Sequence, residues 1–270
     1  MRTAWPKISL VIPSYNQGRF IEETLRSLID QHYPNLELIV IDGGSNDASV
    51  EIIRRYADYM AYWVSEPDQG QTHALIKGFQ RSTGEIQGWL CSDDLHEQWT
   101  LCEVAQFFEE HPTAQVVYGD SSWIDIDGRP IRPKREHAFS RFIWTYDYNY
   151  IPQPSTFWRR DLYERVGGLD LTFNLAMDAD LWIRFADVTK FYHVRRYWSR
   201  MRFYAAQKNQ RFRAQSDIED HLIRRRYIGD EPAYSLKAKK VIAKSMRIAW
   251  KLATGCYWWG KDAPFTAAPR

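Results

Sequence analysis

The sequence predicts an α/β protein with a mainly parallel sheet and helices on both of its faces. Short runs rich in β-branched and aromatic residues alternate with stretches whose apolar residues recur at helical spacing, and this alternation repeats between residues 7 and 120. Such alternation is typical of parallel sheets joined by crossover helices. A chain of 270 residues, 44% hydrophobic and 26% charged, can also bury one core of this kind.

Each element is justified by its local pattern. The runs KISLVIPSY and LELIVID are short and apolar, as buried strands are, whereas Phe20, Ile21, Leu25 and Leu28 recur at helical spacing between them. The same tests, applied along the chain, predict strand 7–15, helix 18–31, strand 36–42, helix 48–58, strand 61–66, helix 71–82, strand 85–92, helix 100–111 and strand 114–120.

Polar residues follow the first four predicted strands. They are Ser14, Tyr15 and Asn16, then Asp42, then Glu66 and Asp68, then Asp93 and Asp94. Because the carboxyl ends of parallel strands meet at one edge of a sheet, these groups are predicted to converge on one crevice. Several carboxylates there favour a hard divalent cation with oxygen ligands. The alternative that Asp42 and Asp93 only cap the following helices remains open.

Absent patterns exclude several classes of protein. The sequence contains neither G-x-G-x-x-G after the first strand nor G-x-x-x-x-G-K-[ST], so no dinucleotide fold or P-loop is predicted. Its three cysteines have no C-x-x-C spacing, which argues against a disulfide framework or a zinc site and favours a cytoplasmic setting. No apolar stretch approaches the ~20 residues that span a bilayer, and no secretory leader is recognised.

The net charge of +2 hides an asymmetry along the chain. Residues 1–120 carry 8 Lys/Arg against 18 Asp/Glu, a balance of −10, whereas residues 184–226 carry 12 against 4, a balance of +8. The basic part is expected to meet an anionic partner. Nucleic acid is not favoured, because no nucleic-acid-binding module is recognised.

Three segments together resemble the family 2 glycosyltransferases, inverting enzymes with the Rossmann-like GT-A fold. They run from ISLVIPSYNQG to DGGSND, from WVSEPDQGQTH to WLCSDD, and from QPSTFWRR to MDADLWIRF. The resemblance implies transfer of a sugar from a nucleotide-sugar, UDP-sugar above all, to an acceptor hydroxyl with inversion. It also implies a role in cell-surface polysaccharide or glycolipid biosynthesis.

The resemblance assigns most site residues by their place in these segments. It puts the nucleotide-sugar against Pro13, Ser14, Tyr15, Asn16, Asp42, Asp68, Gln71, Lys77 and Asp93. Asp93 and Asp94 stand at the D-x-D motif that holds Mn²⁺ or Mg²⁺, with Asp93 favoured as the direct ligand. The chain departs from the family at Cys91, at Ile76 and in MRFYAAQKNQ, which lacks a histidine common in relatives.

The acceptor side is assigned in the same way. Asp178, in AMDADLWIRF, matches the catalytic base that takes the proton of the acceptor hydroxyl. Read without the resemblance, Asp178 is an acid favoured by a helix N-terminus, and Asp180 would point elsewhere. Gln153 and Tyr148 are predicted on the acceptor side, and Tyr146, Tyr148 and Tyr150 in WTYDYNY are predicted to line the acceptor groove. Trp63, Trp89 and Trp182 fall in apolar patterns and are predicted to be core residues.

A basic amphipathic helix is predicted near the C-terminus. Lys237, Lys240, Lys244, Arg247 and Lys251 recur at helical spacing, and Val241, Ile242, Met246, Ile248 and Leu252 take the other side. One interpretation places residues 235–260 on an anionic membrane surface. The other packs the apolar side onto the domain and leaves the lysines in solvent. The predicted domains are 1–230, the catalytic domain, and 231–270, a helical extension.

The sequence thus predicts a metal-dependent inverting glycosyltransferase with a saccharide or lipid-linked acceptor, cytoplasmic and located at the inner face of the membrane. Two alternatives are kept. One is a nucleotide-sugar-binding protein of the same fold without catalysis, suggested by the departures at Cys91 and Ile76 and by the missing histidine. The other is a metal-dependent phosphoesterase.

Overall fold

A nine-stranded sheet forms the centre of the molecule, of which a computed structural model describes residues 5–257. Residues 258–260 of the predicted membrane segment and 258–270 of the predicted extension lie outside this range. The strands are β1 (Ile8–Ser14), β2 (Leu36–Asp42), β3 (Tyr62–Ser65), β4 (Ile86–Trp89), β5 (Leu95–His96), β6 (Val116–Ile124), β7 (Pro130–Lys134), β8 (Thr156–Arg159) and β9 (Phe191–Arg202).

Ten α-helices surround the sheet within the described range. They are α1 (Ile21–Ile29), α2 (Ser49–Arg55), α3 (Gln71–Arg81), α4 (Thr100–Glu110), α5 (Arg141–Tyr146), α6 (Arg160–Arg165), α7 (Met177–Val188), α8 (Lys208–Arg211), α9 (Arg213–Ile228) and α10 (Ala233–Ala253). The predicted strands and helices up to residue 120 are confirmed. The ends of α2 and α4 show no side-chain cap. The capping alternative for Asp42 and Asp93 is therefore not supported.

The sheet is mainly parallel, as predicted. Its order is β3-β2-β1-β4-β8-β6-β9-β5, with β7 added beside β6. The pairs β1–β2, β2–β3, β1–β4 and β6–β9 are parallel, whereas β8 runs antiparallel between β4 and β6, and β5 and β7 are antiparallel edge pairings. No strand is predicted from the sequence at β5, β7, β8 or β9. β5 has only two residues, and β7 (PIRPK) and β9 (FYHVRRYWSRMR) contain several basic residues in place of the apolar run of a buried strand.

Alternating residues of the first strands serve two cores. Along β1, Leu10 and Ile12 face the core beneath α1, α2 and α4, whereas Val11 faces the core beneath α3, α5 and α7. Trp89 and Trp182 stack in the second core with ring centroids 5.5 Å apart, and Trp63 packs against the first. Helices therefore cover both faces of the sheet, which leaves its edge of strand ends for a site. No helix among residues 5–257 has the length and apolarity to cross a membrane.

Candidate active site

The carboxyl ends of the parallel strands lie side by side. Ser14, the last residue of β1, pairs in register with Asp42 of β2, and Asp42 pairs with Ser65 of β3. β4 runs parallel to β1 on its other side, and the chain leaves it toward Asp93 and Asp94. The predicted convergence of polar strand ends on one rim is confirmed.

Asp93 and Asp94 form the most acidic part of this rim. They are only 8% and 5% exposed, and their oxygens and the Cys91 sulfur lie within 4.8 Å of one another. The backbone N–H of Arg202 donates to Asp94 Oδ1 at 2.8 Å, and the Tyr204 hydroxyl donates to Asp93 Oδ2 at 3.0 Å. Each of these bonds uses one carboxylate oxygen, which leaves the other oxygen of each aspartate to serve a cation.

Burial makes both carboxyl groups resist ionisation. Loss of hydration raises the pKa of Asp93, and burial together with the charge of Asp93 raises the pKa of Asp94 well above its usual range. The positive charge of the Arg202 guanidinium, itself 1% exposed, opposes this rise in both pKa values. The guanidinium donates to the Asp93 carbonyl oxygen at 2.8 Å and is also paired with Glu23 at 2.6 Å. One arginine is shared by three acids, so a divalent cation would stabilise the ionised pair.

The donor set fits a hard divalent cation such as Mg²⁺ or Mn²⁺, because carboxylate oxygens are the ligands that these ions prefer. Cys91 is a poorer ligand. Its Sγ accepts a hydrogen bond from the Gln71 amide at 3.2 Å and donates toward Gln153 Oε1 at 3.7 Å. Burial and the two aspartates also raise the pKa of the thiol well above its usual range. Cys91 therefore joins Gln71 to Gln153 as a neutral thiol, and the two aspartates are the groups that would hold an ion.

Lys208 lies in the site although sequence analysis did not identify it. Its Nζ donates to Gln71 Oε1 at 3.1 Å, to the Asn174 carbonyl oxygen at 2.6 Å and to Asn174 Oδ1 at 3.2 Å. Burial lowers the pKa of Lys208, while Asp68 is among the acids that oppose this. The excess of basic residues over 184–226 was the only signal, since both Lys208 and Arg202 belong to it. Which of those twelve cations reaches the rim depends on the fold.

The end of β1 offers an aromatic ring and polar groups. Pro13 and Ser14 are buried, and the Ser14 hydroxyl is buried with no hydrogen-bond partner among the described residues. Tyr15 is 61% exposed. Asn16 adopts the left-handed conformation, with φ at 52°, and its Oδ1 accepts from the Asn46 N–H at 3.0 Å. An exposed ring beside a polar turn can stack on a nucleobase, so the predicted role of this segment stays open to test.

Asp42 is committed to the chain's own loop. It is fully buried and accepts hydrogen bonds from the backbone of Gly44 and Ser45 and from the hydroxyls of Ser45 and Ser65, at 2.6 to 3.2 Å. These donors occupy the acceptor positions of a carboxylate. A direct contact between Asp42 and the base or ribose, as predicted, would therefore require this loop to rearrange; in this structure Asp42 shapes the rim instead.

Asp68 is packed against the end of the neighbouring strand. A Cβ on Gly43 would lie 2.8 Å from Asp68 Oδ2, so a side chain at position 43 would displace the Asp68 carboxylate. Asp68 Oδ1 also accepts from the N–H of Gly70 at 2.7 Å, at the start of α3. These contacts hold Asp68 close to Gln71, as the sequence predicted.

Lys77 does not join this group. Its Nζ pairs with Glu66 at 2.6 Å, and it lines a small cavity with Tyr62 and Arg81. Lys77 is six positions after Gln71 on α3, a distance of about 9 Å along the helix axis. The predicted contact of Lys77 with the nucleotide is not supported by this arrangement, because its charge is already paired with Glu66.

Asp178 lies half-buried in the first turn of α7. The loop before this helix is bonded to the start of α3, where the Thr72 hydroxyl donates to the Phe173 carbonyl oxygen at 2.6 Å. This bond places the loop that leads to Asp178 beside the start of α3. Burial raises its pKa to about 6, against hydrogen bonds from the Ala179 backbone and the Asn149 amide that lower it. Such a carboxylate is ionised at neutral pH and more basic than an exposed one.

Two residues that sequence analysis missed hold Asp178 in place. The Asn149 amide donates to Asp178 Oδ2 at 3.0 Å, while its own oxygen accepts from the Trp144 indole and the Ile151 backbone, each at 3.3 Å. These two donors fix the orientation of the amide. Farther along the chain, Glu219 Oε2 accepts three backbone N–H groups, those of residues 174–176, at 2.8 to 3.0 Å. Local patterns cannot show such long-range pairs.

Gln153 is at the site, whereas the three tyrosines serve another purpose. The Gln153 amide donates to the Trp89 carbonyl oxygen at 2.7 Å, beside Cys91. Tyr150 is fully buried. Tyr146 bonds to Glu231 at 2.6 Å, and Tyr148 lies under the Arg247 guanidinium, 5.0 Å from its ring centre. The prediction that Tyr148 and its neighbours line an acceptor groove is not supported, since their rings hold the C-terminal helix or the core.

Sequence comparison finds relatives among glycosyltransferases. A PGL/p-HBAD biosynthesis glycosyltransferase of Mycobacterium bovis is 31% identical over 199 residues, which are 71% of this chain and 75% of that protein. The protein of the same name from Mycobacterium tuberculosis matches equally well. An uncharacterized glycosyltransferase of Rickettsia typhi is 26% identical over 194 residues, 69% of this chain and 61% of that one.

Solved structures share the fold. Staphylococcus aureus TarS 1-349 in complex with UDP superposes with a TM-score of 0.65 and 19% identity, over 95% of this chain and 76% of that one. The chain spans 42% of a longer TarS structure. The mannosyltransferase PcManGT from Pyrobaculum calidifontis, in complex with GDP-Man and Mn²⁺, has a TM-score of 0.62 and 21% identity, over 95% and 81% of the two chains. These likenesses establish the GT-A type of fold.

The family model described as glycosyl transferase family 2 matches residues 9–167, which carry every strand end of the rim. Together with the mycobacterial relatives and the fold, this match settles the family: the chain belongs to glycosyl transferase family 2.

Proposed function

We propose that the protein is a metal-assisted, inverting hexosyltransferase. It moves a sugar from a UDP-sugar to a hydroxyl of a saccharide, free or lipid-linked, in cell-surface polysaccharide or glycolipid biosynthesis at the cytoplasmic face of the membrane. The observation that carries the proposal is the presence of a buried carboxylate pair at Asp93 and Asp94 together with a separate, half-buried carboxylate of raised pKa at Asp178. Solved structures of similar fold contain UDP, UDP-GlcNAc or GDP-Man, which supports a nucleotide-sugar donor for this protein.

The donor side binds a diphosphate. The carboxylates of Asp93 and Asp94 would hold Mg²⁺ or Mn²⁺, which when bound neutralises charge on the leaving diphosphate. The Lys208 ammonium group, which donates hydrogen bonds to Gln71 and Asn174, supplies a further positive charge in addition to that of the metal ion. Asp68 and the exposed ring of Tyr15 flank the nucleoside. The arrangement binds the phosphates through positive charge on one side of the sugar and leaves the other side open to an acceptor.

Asp178 acts as the general base. The acceptor hydroxyl gives its proton to the Asp178 carboxylate while its oxygen forms a bond to the anomeric carbon. At the same time the bond between that carbon and the phosphate oxygen breaks, and the nucleoside diphosphate leaves as an anion. Attack from the side opposite the leaving group inverts the anomeric centre. A carboxylate of pKa about 6 is suited to this role, because it is ionised at neutral pH and still basic.

Turnover is tested by incubating the purified chain with UDP-sugars and GDP-sugars, Mn²⁺, and saccharide acceptors, and by measuring nucleotide release. We expect release that depends on both metal and acceptor, with an inverted product by NMR. Asp178→Asn should bind UDP normally but lose transfer. The control variant Asp187→Asn, at the other end of α7, should keep both UDP binding and transfer. Donor binding without any turnover would instead identify a non-catalytic binding protein, and cleavage of simple phosphodiesters without acceptor would identify a phosphoesterase.

The metal site is tested without relying on activity. Calorimetric titration of Mn²⁺ in the presence of UDP should show one site, which is weakened in Asp93→Asn and in Asp94→Asn. The larger loss identifies the direct ligand, for which Asp93 is our choice. Unchanged Mn²⁺ binding in both variants would reject this assignment.

A further inference from the structure

The C-terminal helix α10 is docked on the domain by its polar side. Lys251 pairs with Glu136 at 2.7 Å, Lys239 donates to the Tyr146 hydroxyl at 3.2 Å, and Arg247 forms an ion pair with Asp147. Trp250 stacks on His137 with ring centroids 5.0 Å apart, and Ala243 is fully buried at the centre of the contact. Two of the cations that one interpretation of the sequence placed in solvent, Arg247 and Lys251, therefore contact the domain instead.

The apolar side of α10 consequently faces outward. Val241, Ile242, Met246, Ile248 and Leu252 are 37% to 60% exposed. This reverses the usual orientation of an amphipathic helix, whose apolar stripe faces the core. The interpretation in which α10 packs its apolar side onto the domain is therefore wrong. Some other environment has to accept these side chains.

The exposed charges of α10 are all positive. The helix contains six Lys and Arg and no Asp or Glu. Three of its cations, Lys237, Lys240 and Lys244, are exposed and have no carboxylate partner among residues 5–257. At about 100° per residue, they form a row between the docked side and the apolar side. An apolar stripe bordered by a row of lysines complements a surface that is apolar inside and anionic outside.

We propose that this outer face of α10, consisting of the five exposed apolar residues above and the row of three lysines, binds an anionic lipid surface. The apolar side chains enter the boundary between headgroups and acyl chains, and the lysines contact lipid phosphates. Tyr234 lies on the same side near the start of the helix and is 80% exposed, which suits the headgroup level. A second copy of the chain fits less well, because its face would bring the same lysines into contact.

The docked side of α10 connects this surface to the catalytic rim. Arg247 holds Asp147 and Tyr148, and the next residue, Asn149, bonds to Asp178. A helix lying on the membrane would therefore place the predicted base near the headgroups, where a lipid-linked acceptor presents its sugar. This consequence rests on the proposed function, whereas lipid binding does not.

Vesicle flotation with the full-length protein tests the proposal. We expect binding to vesicles of phosphatidylcholine mixed with phosphatidylglycerol, little binding to phosphatidylcholine alone, and release by salt. Ile242→Glu with Met246→Glu should abolish binding, whereas Ile131→Glu should not, since Ile131 and Ile242 are both 49% exposed. Changing Lys237, Lys240 and Lys244 to Gln should weaken binding roughly a hundredfold, because each of the three surface lysines contributes about a fivefold factor.

Matched controls separate this surface from general charge and from catalysis. Arg26, Arg54 and Arg165 are exposed elsewhere, and changing all three to Gln should leave vesicle binding unchanged. Nucleotide release with a water-soluble acceptor should be unchanged in the α10 variants, so loss of activity cannot imitate loss of binding. Failure of the wild-type protein to bind anionic vesicles, or equal binding by the Ile242→Glu/Met246→Glu variant, would overturn the proposal. Light scattering tests whether the face binds a second copy instead. If the wild-type protein is a dimer that does not bind vesicles, and the Ile242→Glu/Met246→Glu variant is a monomer, the face is assigned to a second copy of the chain.

Discussion

At the scale of single residues, two aspartates in the first turn of α7 have different chemistry. Asp180 is 1% exposed and pairs with Arg184 at 2.6 Å and Arg226 at 3.2 Å, so its charge is fully used. Asp178 is beside the Asn149 amide and the negative charge of Asp220, and its pKa is raised to about 6 by burial. Only the carboxylate without an arginine partner keeps the basicity that a general base needs.

The pH dependence of transfer should report Asp178. Because its pKa is raised to about 6, we expect kcat/KM to fall about tenfold per pH unit as pH decreases below that value. The Asn149 hydrogen bond stabilises the ionised form, so Asn149→Ala should raise the pKa and move the acid limb upward by roughly one pH unit. A pH–rate profile of each variant measures this.

The matched control for Asn149 is Asn35→Ala, an exposed position remote from the rim. It should leave the profile unchanged. If Asn149→Ala lowers the rate equally at every pH without moving the limb, Asn149 has a structural role only, and its assignment as the residue that positions Asp178 is contradicted.

Lys208 should contribute to donor affinity. Its Nζ is fixed by Gln71 and Asn174, and Gln71 in turn bonds to Cys91 in the cluster with Asp93 and Asp94. A hydrogen bond to a charged group is worth about 1.5–3 kcal/mol. Lys208→Met should therefore weaken UDP binding roughly tenfold to a hundredfold in calorimetry. Lys190→Met, at an exposed lysine, is the control. Equal affinity of wild type and Lys208→Met for UDP would remove Lys208 from the donor site.

At the scale of elements, α10 is attached through a buried ion pair. Lys251 and Glu136 are 7% and 2% exposed, and Lys134 lies 3.2 Å from the same carboxylate. Removing one partner of a buried pair leaves an uncompensated charge, which is costly even where replacing both is not. The attachment of α10 therefore depends on charge pairing in a place where an ordinary amphipathic helix would use apolar packing.

Lys251→Met should lower the free energy of unfolding by about 3 kcal/mol, toward the lower end of the range for broken buried pairs, because Lys134 still faces Glu136. Urea denaturation measures the change. The double variant Glu136→Gln/Lys251→Met should lose more stability than Lys251→Met, because it leaves the buried Lys134 ammonium without the Glu136 carboxylate. Lys244→Met on the exposed side of α10 should cost little. Loss of stability in Lys244→Met as large as in Lys251→Met would show that the docked side has been misidentified.

At the scale of the whole molecule, a continuous set of contacts joins the C-terminal helix to the rim. Arg247 of α10 pairs with Asp147 and covers Tyr148, Asn149 bonds to Asp178, and α9 holds the loop before α7 through Glu219. The predicted extension over 231–270 is thus joined to the predicted domain over 1–230 through the acceptor side. A change on the docked side of α10, at Arg247, is expected to reach the chemistry, whereas a change on its outer face is expected to affect membrane attachment only.

Arg247→Ala should lower kcat about tenfold with little change in KM for the donor, because a misplaced base slows proton removal while the diphosphate site is untouched. Steady-state kinetics with a water-soluble acceptor measure this without membranes. Lys244→Ala on the same helix is the control, and thermal melts should show that both variants are folded. A rise in donor KM with unchanged kcat would place the effect of Arg247 on the donor side.

Local sequence patterns are sufficient to predict the parallel α/β framework and the rim of strand-end acids. Both follow from periodicity and from the rule that parallel strands end at one edge, so Asp68, Asp93 and Asp94 could be named in this way, whereas Gln71 was named through the resemblance to the family. The assignment of Asp178 needed the resemblance to the family as well, since an acid at a helix N-terminus has an ordinary explanation.

The distant groups that complete the site could not be predicted from local patterns, because they depend on long-range contacts of the folded chain. Tyr204, Lys208 and Asn149 reach the rim through contacts with residues 29 to 137 positions away, which no local pattern encodes. Local patterns also do not show that Lys77 forms an ion pair with Glu66. The orientation of α10 is a further example. The amphipathic pattern of this helix is plain in the sequence, but which side faces the domain was decided by Glu136 and Asp147, acids that draw its cations inward and leave its apolar side exposed.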